Sequence, residues 1–156
     1  MFFSDDMKDF VMLLQQHQVR FAVCGGFAVA HHGHLRATMD FDLLIVPDAA
    51  NARALMNVLR DFGFGGAGIT ESAFVSTGTA ITLGAQPNQI DLLTSMGSRS
   101  PSDIVADAET GEIGGLTVRI VSFEDLLRAK RESARLKDRL DAEELERIRA
   151  TRATNR

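Results

Sequence analysis

Apolar residues recur along this chain at two spacings, one typical of helices and one typical of strands. Between Asp5 and His17, Met7, Phe10, Val11 and Leu14 recur at intervals of three and four residues, which predicts an amphipathic helix. Short apolar runs that are bounded by glycine, proline or polar residues predict strands. These patterns predict helices at 5–17, 27–32, 47–62, 102–108, 122–133 and 137–150, and strands at 19–24, 40–46, 73–76, 80–83, 89–93 and 116–121.

The interleaved order of these elements indicates an α/β (α+β) protein. The chain has 156 residues, and it contains neither an internal repeat nor a long linker, so we expect one domain over residues 1–156. Residues 63–78 are rich in glycine and serine and predict little beyond the strand at 73–76. We expect the polar tail, residues 151–156, to be frayed.

The stretch from Phe21 to Val46 carries the first candidate chemistry. An apolar strand ends at Gly25 and Gly26, and a short apolar helix follows. Glycine allows a positive φ and a close approach of the backbone to another group. A helix that begins here would direct its free N–H groups towards an anion, and a phosphate is the natural occupant.

Two acids open the next strand, and a third lies inside a later one. Side chains alternate along a strand, so Asp40 and Asp42 share one face of residues 40–46. Two carboxylates on one face repel each other unless a cation lies between them, and hard oxygen ligands favour Mg²⁺. Asp91, within Gln-Ile-Asp-Leu-Leu, has the same setting and is the candidate third metal ligand, provided that its strand pairs beside the first. A phosphate cradle beside a Mg²⁺ site predicts phosphoryl or nucleotidyl transfer.

Other interpretations of these residues are simpler. A glycine pair is often an ordinary turn, and the paired acids could be a solvated strand start. Phosphatases of the haloacid-dehalogenase type also use Asp-x-Asp, but there the acids follow the apolar strand, whereas here they precede it. Arg36 could bind phosphate or pair with an acid, and Thr38 is expected to order the loop before Asp40. Lys130 and Lys137 lie in a charged helical region and could bind phosphates or form a solvated face.

Three histidines lie close together in the sequence, at positions 31, 32 and 34. A zinc site on a helix needs imidazoles at compatible spacing, and we expect the adjacent side chains of His31 and His32 to diverge. Surface or packing roles are therefore favoured for the histidines, with contact of one of them to substrate as the alternative.

Composition and charge add few constraints. The chain is 45% hydrophobic, has a net charge of −4 and contains one cysteine, which excludes an internal disulfide and fits a reducing cytoplasm. No apolar run is long enough to cross a membrane, so we expect a cytoplasmic protein. Residues 128–156 hold 10 of the 17 Lys and Arg but only 6 of the 21 acids, so the C-terminal segment is the basic end.

These motifs together resemble the nucleotidyltransferase-fold superfamily, whose members are DNA-polymerase-β-like. The segment GGFAVAHHGHLRATMDFDLLIV is similar in particular to small bacterial proteins related to the abortive-infection nucleotidyltransferase toxins. Their C-terminal pattern of Lys, then Arg-x-x-Asp and a further Asp, matches Lys130, Arg135, Asp138 and Asp141. One departure is Phe27, where the superfamily usually has a serine that contacts phosphate.

The resemblance implies a fold, a cofactor and a set of site residues. The fold would be a mixed β-sheet flanked by helices, with a C-terminal helical pair. Two Mg²⁺ ions and an NTP donor would take part in the reaction. The implied catalytic and metal-binding residues are Asp40, Asp42 and Asp91, and the implied nucleotide-binding residues are Gly25, Gly26, Arg36, Thr38, Lys130, Lys137 and Asp138.

The predicted reaction is transfer of NMP from an NTP to an acceptor hydroxyl. The resemblance implies a tRNA end or a protein side chain as acceptor, and a toxin paired with a cognate antitoxin. An aminoglycoside acceptor is less favoured because a large helical domain is missing. The competing hypothesis is a non-catalytic protein that binds nucleotide or a partner. A homodimer formed through apolar helix faces is a further expectation.

Overall fold

A computed structural model describes residues 2–156. Six strands form one mixed sheet in the order β3-β4-β2-β1-β6-β5, and helices flank it. The α/β class predicted from the sequence is therefore confirmed. The strands are β1 Phe21–Cys24, β2 Asp40–Ile45, β3 Ala80–Leu83, β4 Gln89–Leu93, β5 Glu109–Ile113 and β6 Leu116–Ile120. The helices are α1 Asp5–Gln16, α2 Gly25–His31, α3 Ala49–Phe62, α4 Pro101–Ala106, α5 Phe123–Glu132 and α6 Leu136–Thr154.

The central strands determine where the predicted acids lie. β1 pairs antiparallel with β2 on one side and parallel with β6 on the other. β2 and β4 run parallel, and the antiparallel pairs β3–β4 and β5–β6 form the two margins of the sheet. The starts of β2 and β4 consequently lie side by side.

Local sequence explains where several helices begin. The side chains of Ser4, Asp48 and Ser122 each accept a hydrogen bond from the backbone N–H three residues later, which caps α1, α3 and α5. Buried Asn51 donates to the carbonyls of Arg20 and Val46 at 3.0 and 2.8 Å, which ties the beginning of α3 to the ends of two strands.

A continuous apolar core lies between the sheet and the helices. Four residues of α1 (Met7, Phe10, Val11 and Leu14) are fully buried, as the helical spacing predicted. No helix within residues 2–156 combines the length and the apolar character needed to cross a bilayer.

Two predictions of secondary structure are wrong, and one strand was missed. Where a strand was predicted at 73–76, the structure has a short 3₁₀ helix, Glu71–Phe74. This helix packs the fully buried side chain of Phe74 into the core beside α3. β5 was missed because its sequence, Glu-Thr-Gly-Glu-Ile, does not alternate in polarity and lies at the margin of the sheet. The tail is helical through Thr154 rather than frayed.

Candidate active site

The three predicted acids meet on one face of the sheet. In the parallel pair of β2 and β4, Asp42 lies directly opposite Asp91. Neighbouring strands are about 4.8 Å apart, and opposed residues point to the same face. Asp40 is two residues before Asp42 and shares this face. The pairing therefore brings together carboxylates that are 51 residues apart in the sequence.

Polar side chains orient two of these carboxylates. The hydroxyl of Thr82 donates to Asp91 Oδ1 at 2.7 Å, and the amide of Gln89 donates to both oxygens of Asp91 at 3.1 Å. The amide of Gln86 donates to Asp40 Oδ1 at 3.0 Å. All three donors come from the β3–β4 hairpin, so this hairpin positions the acids as well as supplying one of them.

The third carboxylate, Asp42, is electrostatically the most perturbed. Burial, the charge of Asp91, a hydrogen bond shared with Asp91 and the charge of Asp40 raise its pKa from 3.8 to about 7, although Lys130 acts in the opposite direction. A pKa this high means that the ionised form lacks a compensating positive charge. A divalent cation between the carboxylates would supply it.

The glycine turn lies against the same carboxylate. Gly25 has φ +63°, and a Cβ atom there would lie only 1.9 Å from Asp42 Oδ2. Cys24, the residue before it, is opposite Asp42 in the β1–β2 ladder. Only glycine allows the backbone to pass this close to the acid, so the turn and the acidic face of the sheet form a single site.

The second glycine is in contact with the loop before β2. A Cβ atom on Gly26 would lie 2.7 Å from Thr38 Oγ1. The Thr38 hydroxyl donates to the backbone carbonyl of Asp40 at 3.2 Å. Thr38 thus holds the backbone that presents Asp40, which is the ordering role predicted for it.

Phe27, the aromatic residue after the glycines, does not face the site. It is 5% exposed and packs edge to face against Phe41, with ring centroids 5.1 Å apart, and against Phe3 at 6.0 Å. A side chain at this position points into the core. The side chain of residue 27 is therefore not available to a ligand at the turn, which would meet backbone N–H groups instead.

A second wall of the cavity beside the acids is lined by residues of α5, the start of α6 and the 33–39 loop. Arg36 donates two hydrogen bonds to Asp141, each 2.9 Å long, and Lys130 Nζ lies 3.0 Å from the same carboxylate. Burial alone would raise the pKa of Asp141, but the hydrogen bonds from Arg36 and Lys130 outweigh it and lower the pKa. Of the two roles open to Arg36, the structure shows pairing with an acid.

Asp138 is held in the same network. It accepts hydrogen bonds from Lys130 at 2.8 Å, from the Ser133 hydroxyl at 2.6 Å and from Arg135 at 3.1 Å. Desolvation raises its pKa, yet the hydrogen bonds and charges of these donors lower it overall. The network fixes the joint between α5 and α6 beside the cavity.

A cavity of about 460 Å³ separates the two walls. Lys137 lines it, is exposed and forms no ion pair with any of residues 2–156. The ten residues predicted for the site all line this cavity: Gly25, Gly26, Arg36, Thr38, Asp40, Asp42, Asp91, Lys130, Lys137 and Asp138. Their proximity is a finding, whereas their roles in binding and catalysis stay predictions.

Sequence reasoning missed the residues that support the acids. Gln89 lies two residues before Asp91, and Thr82 is the partner of Asp91 across the β3–β4 ladder. Alternation along β4 places Gln89 on the same face as Asp91, so the role of Gln89 could have been predicted from the sequence. The contributions of Thr82 and Gln86 required the register of the hairpin.

A family model described as "Nucleotidyl transferase of unknown function (DUF2204)" matches residues 3–155. Among curated proteins, none matches this sequence.

Solved structures with similar folds are nucleotidyltransferases or resemble them. A crystal structure of ANT(2″)-Ia in complex with adenylyl-2″-tobramycin has a TM-score of 0.51 at 14% identity, covering 96% of this chain and 95% of that one. A solution structure of the antibiotic-resistance factor ANT(2″)-Ia also has a TM-score of 0.51 at 14% identity, covering 96% and 90%. An antigenic nucleotidyltransferase-like protein from Paracoccidioides brasiliensis has a TM-score of 0.52 at 21% identity, covering 92% and 74%. At these identities the similarity shows the fold alone, whereas the family match over residues 3–155 confirms the predicted nucleotidyltransferase superfamily.

Proposed function

We propose that this chain, which belongs to the nucleotidyl transferase family matched over residues 3–155, transfers NMP from an NTP to an acceptor hydroxyl with the help of Mg²⁺. The observation that carries the proposal is the convergence of Asp40, Asp42 and Asp91 beside the Gly25 turn. Family membership supports nucleotidyl transfer in general, and the metal and the acceptor are the proposed parts.

The three carboxylates fit Mg²⁺ by their chemistry. They offer only hard oxygen ligands, and burial together with the charges of Asp91 and Asp40 raises the pKa of Asp42 to about 7, which a bound cation would oppose. Bound Mg²⁺, in the two-ion arrangement implied by the superfamily, would neutralise phosphate charge and favour ionisation of the acceptor hydroxyl. Gln86, Gln89 and Thr82 keep the carboxylates of Asp40 and Asp91 oriented for this task.

The rest of the cavity would bind the triphosphate. Backbone N–H groups at Gly25 and Gly26 lie beside the acids, and the ammonium of Lys137 lines the opposite wall. Because Arg36 and Lys130 already share the charge of Asp141, we assign them to holding this wall in place for the nucleotide. The acceptor oxygen would attack the α-phosphorus, and the bond to the bridging oxygen would break as pyrophosphate leaves.

For the acceptor we propose a tRNA end or a protein side chain, with the protein acting as the toxin of a toxin–antitoxin pair. This part rests on the resemblance of residues 25–46 to abortive-infection nucleotidyltransferases and on the excess of Lys and Arg over acids in residues 128–156. A small-molecule acceptor is the second candidate. One similar structure holds adenylyl-2″-tobramycin, and this chain covers 95% of it, so the lack of a large helical domain does not count against such an acceptor.

A labelling experiment tests the proposal. Purified protein, Mg²⁺ and each α-³²P-labelled NTP are incubated in turn with total tRNA, a protein extract and a panel of aminoglycosides. We expect label transfer to one class of acceptor by the wild type and none by Asp42→Asn. Asp61→Asn removes a surface acid that pairs with His17 and should transfer label normally.

The result also separates an enzyme from a binding protein. NTP binding without label transfer to any acceptor, over a wide range of Mg²⁺ concentrations, would contradict the proposed reaction. Transfer by Asp42→Asn at the wild-type rate would remove the carboxylate cluster from the mechanism.

A further inference from the structure

A second cluster of potential metal ligands lies away from the cavity, at the other end of α2. His31 ends this helix, His32 follows it, and Glu109 opens β5. Seven helical residues span about 10 Å, so the cluster is well separated from the Gly25 turn. None of its members lines the cavity that holds the acids.

The side chains of this cluster converge. His31 Nε2 lies 2.7 Å from Glu109 Oε1, and His32 Nδ1 lies 3.9 Å from the same oxygen. One ligand atom from each residue lies within 4.8 Å of the others. The prediction that the adjacent histidines diverge is wrong, because their ring centroids are 4.9 Å apart.

His32 is held in the orientation that a metal ligand needs. It is 4% exposed, and its ring packs edge to face against Phe123. Its Nε2 lies 2.8 Å from the backbone carbonyl of Val121. Because a carbonyl only accepts, Nε2 must carry the hydrogen, and Nδ1 of the neutral ring is left with a lone pair that faces Glu109. Metal-binding histidines characteristically donate their other ring N–H to such a carbonyl.

We propose that His31, His32 and Glu109 form a binding site for one transition-metal ion of the Zn²⁺ class. Two imidazole nitrogens and one carboxylate oxygen are the donor set that zinc accepts, with water in the fourth position. Ligand atoms around a tetrahedral zinc ion are about 3.4 Å apart, given bonds of about 2.0–2.1 Å. The observed separations of 2.7 and 3.9 Å lie on either side of this value.

Donor chemistry separates this site from the proposed catalytic one. Imidazole favours zinc, nickel and copper, whereas Mg²⁺ prefers oxygen ligands alone. The bound ion would join the end of α2 to the β5–β6 hairpin, and α2 begins at the glycine turn of the cavity. Arg152, which donates to the carbonyl of His32 at 3.0 Å, adds a positive charge that moderates the affinity for a cation.

Calorimetry on tag-free, metal-stripped protein tests this site. Zn²⁺ is titrated in excess Mg²⁺, so that the oxygen-only site is occupied. We expect one equivalent of Zn²⁺ to bind, and Co²⁺ in its place to give the visible absorption of a tetrahedral complex. His31→Gln and Glu109→Gln should each weaken Zn²⁺ binding by about tenfold or more.

The control for these variants is His17→Gln. His17 also contacts a carboxylate, Asp61 at 2.8 Å, but belongs to no three-residue cluster within residues 2–156, so its loss should leave Zn²⁺ binding unchanged. The side chains of His31 and Glu109 are 25% and 48% exposed, so both variants should fold, which circular dichroism verifies. Wild-type affinity in His31→Gln and Glu109→Gln, or the absence of one bound equivalent, would show that the cluster is only a hydrogen-bonded contact between α2 and β5.

Discussion

At the scale of single residues, the candidate site depends on a glycine that lies against the carboxylate of Asp42. Gly25 has φ +63°, and its missing side chain leaves room for Asp42. An alanine would conflict with Asp42 Oδ2 and would also adopt a left-handed conformation that costs about 1–2 kcal/mol. The conformational and steric effects can be separated, because other glycines of this chain have a positive φ but enough space for a Cβ atom.

We therefore predict that Gly25→Ala abolishes most activity. Displacing the Asp42 carboxylate by even 1 Å is expected to lower kcat by about 100-fold or more. The matched control is Gly78→Ala, since Gly78 has φ +89° and a Cβ atom there would meet nothing within 4 Å. This control should lose only the conformational part of the stability, about 1–2 kcal/mol in urea unfolding, and should retain its kcat. Equal kcat values for the two variants would contradict the steric argument.

Asp42 also predicts a pH dependence of stability in metal-free protein. Its pKa in the folded state is about 7, above the unfolded value of 3.8, so the folded state binds this proton more tightly. The resulting stabilisation is complete below pH 3.8 and is lost as pH rises towards 7.

Urea unfolding in a chelator at pH 5 and pH 8 measures this effect. We expect the free energy of unfolding of the wild type to fall between these values by about 2–3 kcal/mol more than that of Asp42→Asn. Buried His32 has a lowered pKa and changes stability in the opposite direction, but it is present in both proteins and cancels. The same pH dependence in wild type and variant would show that Asp42 is ionised normally.

Among the elements, the joint between α5 and α6 depends most on charge. Lys130 from α5 contacts Asp138 and Asp141 from α6, and Arg36 from the 33–39 loop closes the network. The side chain of Asp141 is 3% exposed, so water could not take over its contacts with Arg36 and Lys130 if its charge were removed. Removing one member of a buried ion pair is costly because the others keep their charges.

We predict that Asp141→Asn lowers the free energy of unfolding by about 3 kcal/mol. Asparagine has nearly the same shape, so the loss measures charge and not packing. Thermal and urea unfolding give the value, and Glu144→Gln serves as the control because Glu144 pairs with Arg147 at the surface of α6. The control should unfold like the wild type, and an equally stable Asp141→Asn would contradict the buried-network interpretation.

On the scale of the whole molecule, the cavity joins segments that are distant in sequence. Its walls come from residues 24–42, 91–97 and 126–138. A ligand that contacts both walls binds only when they are folded together, so it stabilises the entire protein.

We predict that Mg²⁺ with a non-hydrolysable α,β-methylene NTP raises the free energy of unfolding by about 2.7 kcal/mol at 100 times its Kd. Thermal unfolding at increasing ligand concentration measures the effect. Lys137→Ala should reduce the shift at fixed ligand concentration, whereas Lys8→Ala, an exposed lysine on α1, should not. Identical shifts for both variants would place the triphosphate away from α6.

The periodicity of apolar residues was enough to predict most helices and strands. It failed for elements whose burial depends on residues distant in the sequence. The spacing of Met7, Phe10, Val11 and Leu14 predicted α1 because a helix buries one face regardless of its partner. The 3₁₀ helix ending at Phe74 was missed because a single buried aromatic, rather than a repeat, fixes it. β5 has no apolar pattern, and only the Gly114-Gly115 turn before β6 signals a hairpin.

The sequence by itself determined the fold class, the superfamily and the residues that carry candidate chemistry, because each depends on local motifs: a glycine pair, Asp-x-Asp and an acid within a later strand. Tertiary structure alone decided that Asp42 faces Asp91, that Arg36 pairs with Asp141 and that His31 and His32 meet Glu109. These contacts join residues between 49 and 105 positions apart, and strand register and helix packing, which no local pattern encodes, bring them together.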